Sequence, residues 1–388
     1  MNPDDICPRP DRSPPPDTRP LAPPIYPSAV YECVDPAQAE RLLSGAELGY
    51  VYSRERHPNS VQLADKCREL HGADEAIVCG SGMAAMAVAA LALVQQGDHV
   101  VVSNQLYGRS LQLFTVEAGR LGIEATVVDT CDLTATAGSM QPNTGLIVAE
   151  TISNPLLRVA DIAALAGIAE SRGARLLVDN TFAGPTICRP LALGAHLVHE
   201  SLTKIMNGHS DVLLGLLCGR ADGWQRVHPV ATIWGFSPSP FDCWLALRGL
   251  GTLALRAQRA SANALRVAEY LQGRGDLKAI HYPGLPSHPD HALAARQFSG
   301  GFGSVVTFTL ADGRKGAEAF MRASPDIPFS PSLGDLSTTL SHPESTSHRT
   351  ISAEARAALG IEGGTIRLSV GIESPEHLLS ALDRALTI

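Results

Sequence analysis

The chain has 388 residues, 45% of them hydrophobic, and a formal net charge of -8 at pH 7. That length accommodates one large domain and one smaller one with a substantial core. The negative balance, with no block of Lys or Arg to override it, argues against nucleic acid or an anionic membrane as a main partner.

The N-terminal stretch Met1 to Pro24 is rich in Pro, Asp and Arg and lacks the apolar core of a signal peptide, so it reads as a loosely draped arm. Residues 59–71 predict a helix with Leu63, Cys67 and Leu70 on one face. An alternation follows. Glu75 to Cys79 predicts a strand, Gly80-Ser81-Gly82 a turn, and Met83 to Val94 an apolar helix too short to span a bilayer. His99 to Ser103 is a strand, Leu111 to Leu121 a helix, and Glu124 to Val128 a strand. Leu146 to Glu150 is an apolar strand ending in an acid, Ile162 to Arg172 a helix, and Arg175 to Val178 a strand ending at Asp179. Leu197 to Glu200 and Val212 to Leu217 read as two more strands. Pro240 to Leu271 reads as one long helical stretch, followed by strand-like Val305 to Leu310, helix-like Lys315 to Met321, strand-like Ile366 to Val370 and helix-like Pro375 to Leu386. Buried strands alternating with helices imply an α/β fold with a largely parallel sheet and helices on both faces. Functional groups in such folds gather at the carboxyl ends of strands, where this chain carries Glu150, Asp179 and Ser201.

The residues at those ends suggest a chemistry. Lys204 follows a strand and is flanked by hydroxyls in Ser201-Leu202-Thr203-Lys204, which suits a Schiff-base lysine beside a phosphate; a solvated surface lysine is the alternative. Asp179 needs a partner if buried, either a pyridinium nitrogen or the N–H groups of the segment it would cap. Gly80-Ser81-Gly82-Met83 opens a helix whose free N–H groups suit a phosphate, or it is only a connection. Arg367 lies inside an apolar strand and calls for an acidic partner, either a substrate carboxylate or an internal carboxyl group. The eight cysteines are scattered with no Cys-x-x-Cys pair, which predicts reduced, buried thiols rather than a zinc site or disulfide framework. His196 and His199 flank a strand, and no His-Glu-x-x-His occurs, so no metal is expected.

Taken together, the chain resembles the Cys/Met-metabolism family of fold-type-I pyridoxal-phosphate (PLP) enzymes from about Pro20 onward. The resemblance rests on Tyr52-Ser53-Arg54, Ser81-Gly82-Met83, Leu106-Tyr107-Gly108, Ser153-Asn154-Pro155, Val178-Asp179-Asn180-Thr181, Ser201-Leu202-Thr203-Lys204, Gly208-His209-Ser210-Asp211 and Arg367-Leu368-Ser369-Val370. It implies a large domain with a mostly parallel seven-stranded sheet between helices, and a smaller C-terminal α/β domain. The expected division is an N-terminal segment over 1–50, a cofactor domain over 51–250 and a C-terminal domain over 251–388. It implies PLP carried by Lys204, with Asp179 at the pyridine nitrogen and Tyr107 stacked on the ring. Gly82, Met83, Ser201 and Thr203 would bind the phosphate, and Asn154 would lie near the ring oxygen. Tyr52 and Arg54 would reach the phosphate of a neighbouring subunit in a cytoplasmic homotetramer built as a dimer of dimers. Arg367 and Thr338 would hold the carboxylate of an amino-acid substrate.

The activity implied is elimination at the γ (or β) carbon of a sulfur-containing amino acid, methionine γ-lyase-like, with release of a 2-oxo acid, ammonia and a thiol. Ser332-Leu333-Gly334-Asp335 points that way. The alternative is a γ-replacement synthase that joins a nucleophile to a vinylglycine-type intermediate. The chain departs from the family pattern at Arg109, where a small residue is usual, and at Ser337, where Glu is common. It departs also at His57, Asn59 and Ile152. Arg109 is expected either to face the distal end of the substrate and favour an acidic or unusual group there, or to form a salt bridge at the pocket wall.

Overall fold

Short apolar runs punctuated by glycine and polar turns become the strands of a seven-stranded sheet. They are β1 (Glu75–Cys79), β2 (His99–Ser103), β3 (Glu124–Val128), β4 (Thr144–Glu150), β5 (Arg175–Asp179), β6 (Leu197–Ser201) and β7 (Gly215–Gly219), in the order β1-β7-β6-β5-β4-β2-β3. The structure is a computed structural model that describes residues 18, 20–349 and 351–387. Most of the expected N-terminal arm, including Cys7, lies outside the described residues. Strands β3, β2, β4, β5 and β6 pair in parallel, and β7 runs antiparallel to both β6 and β1.

Side chains alternate between the two faces of a strand, and both faces here are covered. Val100, Val102, Leu146 and Val148 pack with Met86 and Ala89 of the helix Gly82–Leu93. Val101, Ile147, Leu176 and Val178 pack with Ile162 and Leu165 of the helix Ile162–Ser171. Because β1, β4, β5 and β6 all point the same way, their carboxyl ends share one edge. Glu150 lies opposite Asp179, Asp179 opposite His199, and both Ser201 and Cys79 opposite Gly215.

A second, antiparallel sheet has the order β10-β11-β9-β8, built from β8 (Leu277–His281), β9 (Val305–Leu310), β10 (Thr339–Ser341) and β11 (Thr365–Ser369). Its core includes Val306, Phe308, Ile366 and Leu368, which pack with Val267, Leu271, Ala317, Phe320, Leu378 and Leu382 of three covering helices. Among the described residues no helix is long and apolar enough to cross a membrane. The seven described cysteines are free, five of them buried and Cys33 and Cys131 half-buried.

Three sequence expectations need correction. The stretch over 240–271 is two helices, Pro240–Leu250 and Leu253–Gly273, broken at Gly251-Thr252. Gly249 is required beside that break, since a Cβ there would come 2.5 Å from Asn207 O. We propose this break as the boundary between the two domains. The helix expected over 111–121 is a short α-helix from Gly108 to Gln112, then a π turn and a 3-10 turn. Strand β7 begins at Gly215 rather than Val212, because the Thr203 hydroxyl takes both backbone groups of Leu214, at 3.1 and 3.2 Å, out of the ladder. His57 also gains a reason. It caps the helix Pro58–His71 by accepting from Ser60 N, while Asn59 bonds Tyr26 N and Pro24 O.

Arg256 ties the long helix to the turn after β6. Its Nη1 donates to Ile205 O at 2.8 Å, and its Nη2 to Met206 O at 3.0 Å and Gly249 O at 2.9 Å. Arg256→Met leaves three carbonyls without that donor and is expected to lower stability by about 3 kcal/mol. A urea titration showing no fall in the unfolding midpoint would count against this brace.

Candidate active site

The edge where the strands end opens on a cavity of about 370 Å³ lined from both sheets. Its floor is the segment after β6. Lys204 is largely buried there, and its Nζ donates to Ser332 Oγ at 2.9 Å. Burial, and then the charge of Arg367, pushes the Lys204 pKa below its ordinary value.

Arg367 projects from β11 and is 4% exposed. Its Nη1 donates to Asn154 Oδ1 at 2.7 Å and its Nη2 to Ser332 O at 3.0 Å, while Nε has no hydrogen-bond partner. No carboxylate forms an ion pair with it among the described residues; burial pushes its pKa down to about 10. Its guanidinium also lies over the Phe182 ring, 5.8 Å from the centroid, and a desolvated cation held by two neutral oxygens and a ring face is a receptor for an anion.

Asp179, at the end of β5, accepts from Thr181 N at 3.0 Å, and its other oxygen lies 3.1 Å from His199 Nδ1. The second ring nitrogen, Nε2, lies 2.9 Å from Gly82 O. A carbonyl can only accept, so Nε2 carries a proton, and Nδ1 faces a carboxylate. Burial alone would raise the Asp179 pKa and lower that of His199. Their mutual attraction wins in both, holding Asp179 below and His199 above the ordinary value. Both shifts favour the carboxylate and imidazolium forms of the pair. Glu150, opposite Asp179 across the sheet, goes the other way. Burial and then the Asp179 charge raise its pKa well above the ordinary value, which favours the protonated acid. Its Oε1 accepts from Tyr107 N at 2.7 Å, and Oε2 has no partner among the described residues.

The turn after β1 makes an anion cradle. Ser81 caps the helix Gly82–Leu93 by accepting from Ala84 N, and the first N–H groups of a helix have no intrahelical partner. A Cβ on Gly82 would come 3.1 Å from Ser201 Oγ, so glycine keeps this end open. Gly82, Met83, Ser201 and Thr203 all line the cavity, as do Tyr107, Asn154, Asp179, Lys204 and Arg367.

Other expected residues are elsewhere or engaged. The Thr203 hydroxyl is spent on Leu214. Asn154 Oδ1 is spent on Arg367. Thr338 does not line the cavity; its hydroxyl donates to the Glu373 carboxylate at Oε2 and accepts from Gly371 N, each at 2.9 Å, so within this chain it braces the exit of β11 and is not presented to a substrate carboxylate. Arg109 is exposed and bonded to Gln112 Oε1 at 2.9 Å, whereas the next residue, Ser110, lines the cavity. One helical residue turns the side chain by about 100°, so both cannot face inward. Tyr52 and Arg54 stack at 5.5 Å and line no part of this cavity within one chain.

Sequence reasoning missed His199 and Arg349 as cavity residues, and singled out Ser332 only as part of the stretch over 332–343. For His199 the parallel register with Asp179 is the signal that would have found it.

The family described as Cys/Met metabolism PLP-dependent enzyme matches residues 8–387. O-succinylhomoserine sulfhydrylase from Pseudomonas aeruginosa is 39% identical, with 93% of this chain and 90% of the relative covered. L-methionine gamma-lyase from Porphyromonas gingivalis is 37% identical, with 94% and 92% covered. The crystal structure of cystathionine gamma synthase from Xanthomonas oryzae pv. oryzae in complex with cystathionine superposes with a TM-score of 0.90 at 37% identity, covering 95% of this chain and 93% of that one. The cavity fits PLP. It offers a buried amine, a carboxylate whose charged form is favoured by an imidazolium, and a helix start kept open by glycine for a phosphate.

Removing the imidazolium leaves Asp179 buried beside Glu150 without a counter-charge. His199→Leu is expected to raise the PLP dissociation constant about tenfold, equivalent to about 1.4 kcal/mol. Equilibrium dialysis against free PLP measures it, and an unchanged constant would show that the pair does not serve the cofactor.

Proposed function

This chain belongs to the Cys/Met metabolism family of PLP-dependent enzymes, and we propose that it acts on an amino acid by expelling the substituent on its γ-carbon. The observation that carries this reading is that one residue, Ser332, receives both the Lys204 amine through its hydroxyl and the Arg367 guanidinium through its carbonyl. A base and a carboxylate receptor are thereby held a short span apart, which suits an α-amino acid whose α-proton must reach the amine.

Bound in the cavity, PLP supplies an electron sink for the charge left on the α-carbon. Lys204 is the residue that would hold the cofactor and, with substrate bound, would take the α-proton, its lowered pKa keeping a useful share of the amine neutral. It returns the proton further along the chain. Arg367 holds the α-carboxylate. Asp179, beside His199, would accept a hydrogen bond from the pyridine nitrogen and favour its protonated form. Tyr107 flanks the ring, with its backbone fixed by Glu150. Gly82, Met83 and Ser201 hold the phosphate. Tyr52 and Arg54, idle in one chain, serve the phosphate of a neighbouring subunit in an assembly of at least two chains.

The γ-substituent departs with its bonding electrons. If water completes the reaction, the products are a 2-oxo acid, ammonia and the protonated leaving group, as in the methionine γ-lyase-like reading. If a thiol adds at the γ-carbon first, the product is a thioether amino acid. Incubation with methionine or an O-acyl-homoserine, with and without added thiol, separates these outcomes by product analysis. Consumption of neither substrate would overturn the reading.

Two variants test the assignments. Lys204→Ala is expected to abolish the visible absorbance of the cofactor-bound lysine and to cut turnover by at least about a thousandfold. Arg367→Leu is expected to raise KM about a hundredfold. It also removes one of the two causes that depress Lys204, so the amine pKa should rise. In the cofactor-free protein, the pH midpoint for acylation of Lys204 should move upward; a downward shift would contradict the assignment.

A further inference from the structure

One cation in the cavity is left over once the proposed reaction is accounted for. Thr346, Ser347 and Arg349 form part of the cavity wall. Their turn is fixed by the neighbouring backbone: His348 N donates to Pro343 O at 2.9 Å, and the Thr346 hydroxyl to His342 O at 2.7 Å. It packs against the start of the helix that Tyr107 caps, where a Cβ on Gly108 would lie 3.4 Å from Ser347 O. Arg349 uses one nitrogen to bond Thr346 O at 2.9 Å, within its own turn. Among the described residues no carboxylate forms an ion pair with it; the ion pairs of the cavity residues join only His199 and Asp179.

The other charges of the cavity are spoken for. Asp179 is matched by His199, and Glu150 favours its protonated form. In the proposed reaction Arg367 takes the α-carboxylate and Lys204 the reacting end, while the phosphate of the cofactor goes to the start of the helix at Gly82. Arg349 is exposed at the cavity wall, so a substrate with a neutral side chain, such as methionine, leaves its fork to water. A γ-substituent that ends in an anion answers it with paired, charge-assisted hydrogen bonds.

Building on the γ-carbon reading, we propose that Arg349 is a specificity-determining residue that selects amino acids whose γ-substituent ends in an anion, a carboxylate or a phosphate. The leaving group would then be a dicarboxylate or phosphate, expelled as the C–O bond breaks with both electrons passing to oxygen. The reaction that supplies the substrate must be an acylation by a dicarboxylic acid derivative or a phosphorylation of the γ-hydroxyl.

The test compares O-succinyl-, O-phospho- and O-acetyl-homoserine with the holoenzyme and its Arg349→Gln and Arg349→Lys variants. Two readouts are taken: kcat/KM, and the dissociation constant of each ester from Lys204→Ala protein loaded with PLP. The unaltered enzyme is expected to favour at least one anionic ester over the acetyl ester by at least about tenfold. Arg349→Gln should bring that ratio close to one. Arg349→Lys should keep more of the preference if the anion is a phosphate, which a point charge satisfies, than if it is a carboxylate, which uses the planar fork. Equal handling of all three esters, or a ratio unmoved by Arg349→Gln, overturns the proposal. If the esters bind with the expected discrimination but none is consumed, the selectivity of Arg349 stands and the γ-carbon reaction falls.

Discussion

Removing a guanidinium from water with no carboxylate beside it costs several kcal/mol, and Arg367 is held in that condition. Its two hydrogen bonds go to Asn154 after β4 and Ser332 before β10, so the residue joins the two sheets where the cavity opens. The same charge depresses the Lys204 pKa, which places the electrostatics of the base under the control of a residue far away in the chain. In the proposed reaction an arriving carboxylate would satisfy the cation and also remove one of the causes that weaken the amine as a base. Substrate binding and base strength are thus coupled through one buried charge.

A second constraint divides the labour of two acids. Glu150 and Asp179 are neighbours in register on β4 and β5, and two carboxylates so close in a dry site cannot both ionise cheaply. His199 lies on the next strand beside Asp179 and tips the balance, favouring a charged Asp179 and a protonated Glu150. Environments that push two similar groups apart are a common signature of acid–base chemistry. Here His199 also reaches Gly82 O, so the group that sets the charge of Asp179 is tied to the turn that begins the anion cradle.

The proposed basis of substrate choice is a wall from the smaller unit rather than these strand ends. The turn carrying Ser347 and Arg349 packs against Gly108, beside Tyr107, so a cation from the C-terminal part of the chain stands over a cavity whose floor belongs to the large sheet. A change in that turn can alter selectivity without disturbing Lys204, Asp179 or Arg367.

Much of this was legible in the sequence. Strands show as short apolar or alternating runs, and the bounds of β1, β2, β3 and β9 follow from them; Lys204 and Asp179 stand out because charge at the end of an apolar run needs a reason. Arg367 stands out for the same cause inside its strand. The sequence by itself thus determined the alternation of elements, the edge of the sheet that carries the chemistry, and the family to which the chain belongs. Tertiary structure alone decided which side chains share the cavity. Strand register put His199 against Asp179, helix phase turned Arg109 outward and Ser110 inward, and Glu373, distant in sequence, took up the Thr338 hydroxyl. Each of those outcomes depends on a distance between segments far apart in the chain, and a hydrogen bond or ion pair acts only over a few ångströms of space, whatever the separation along the sequence.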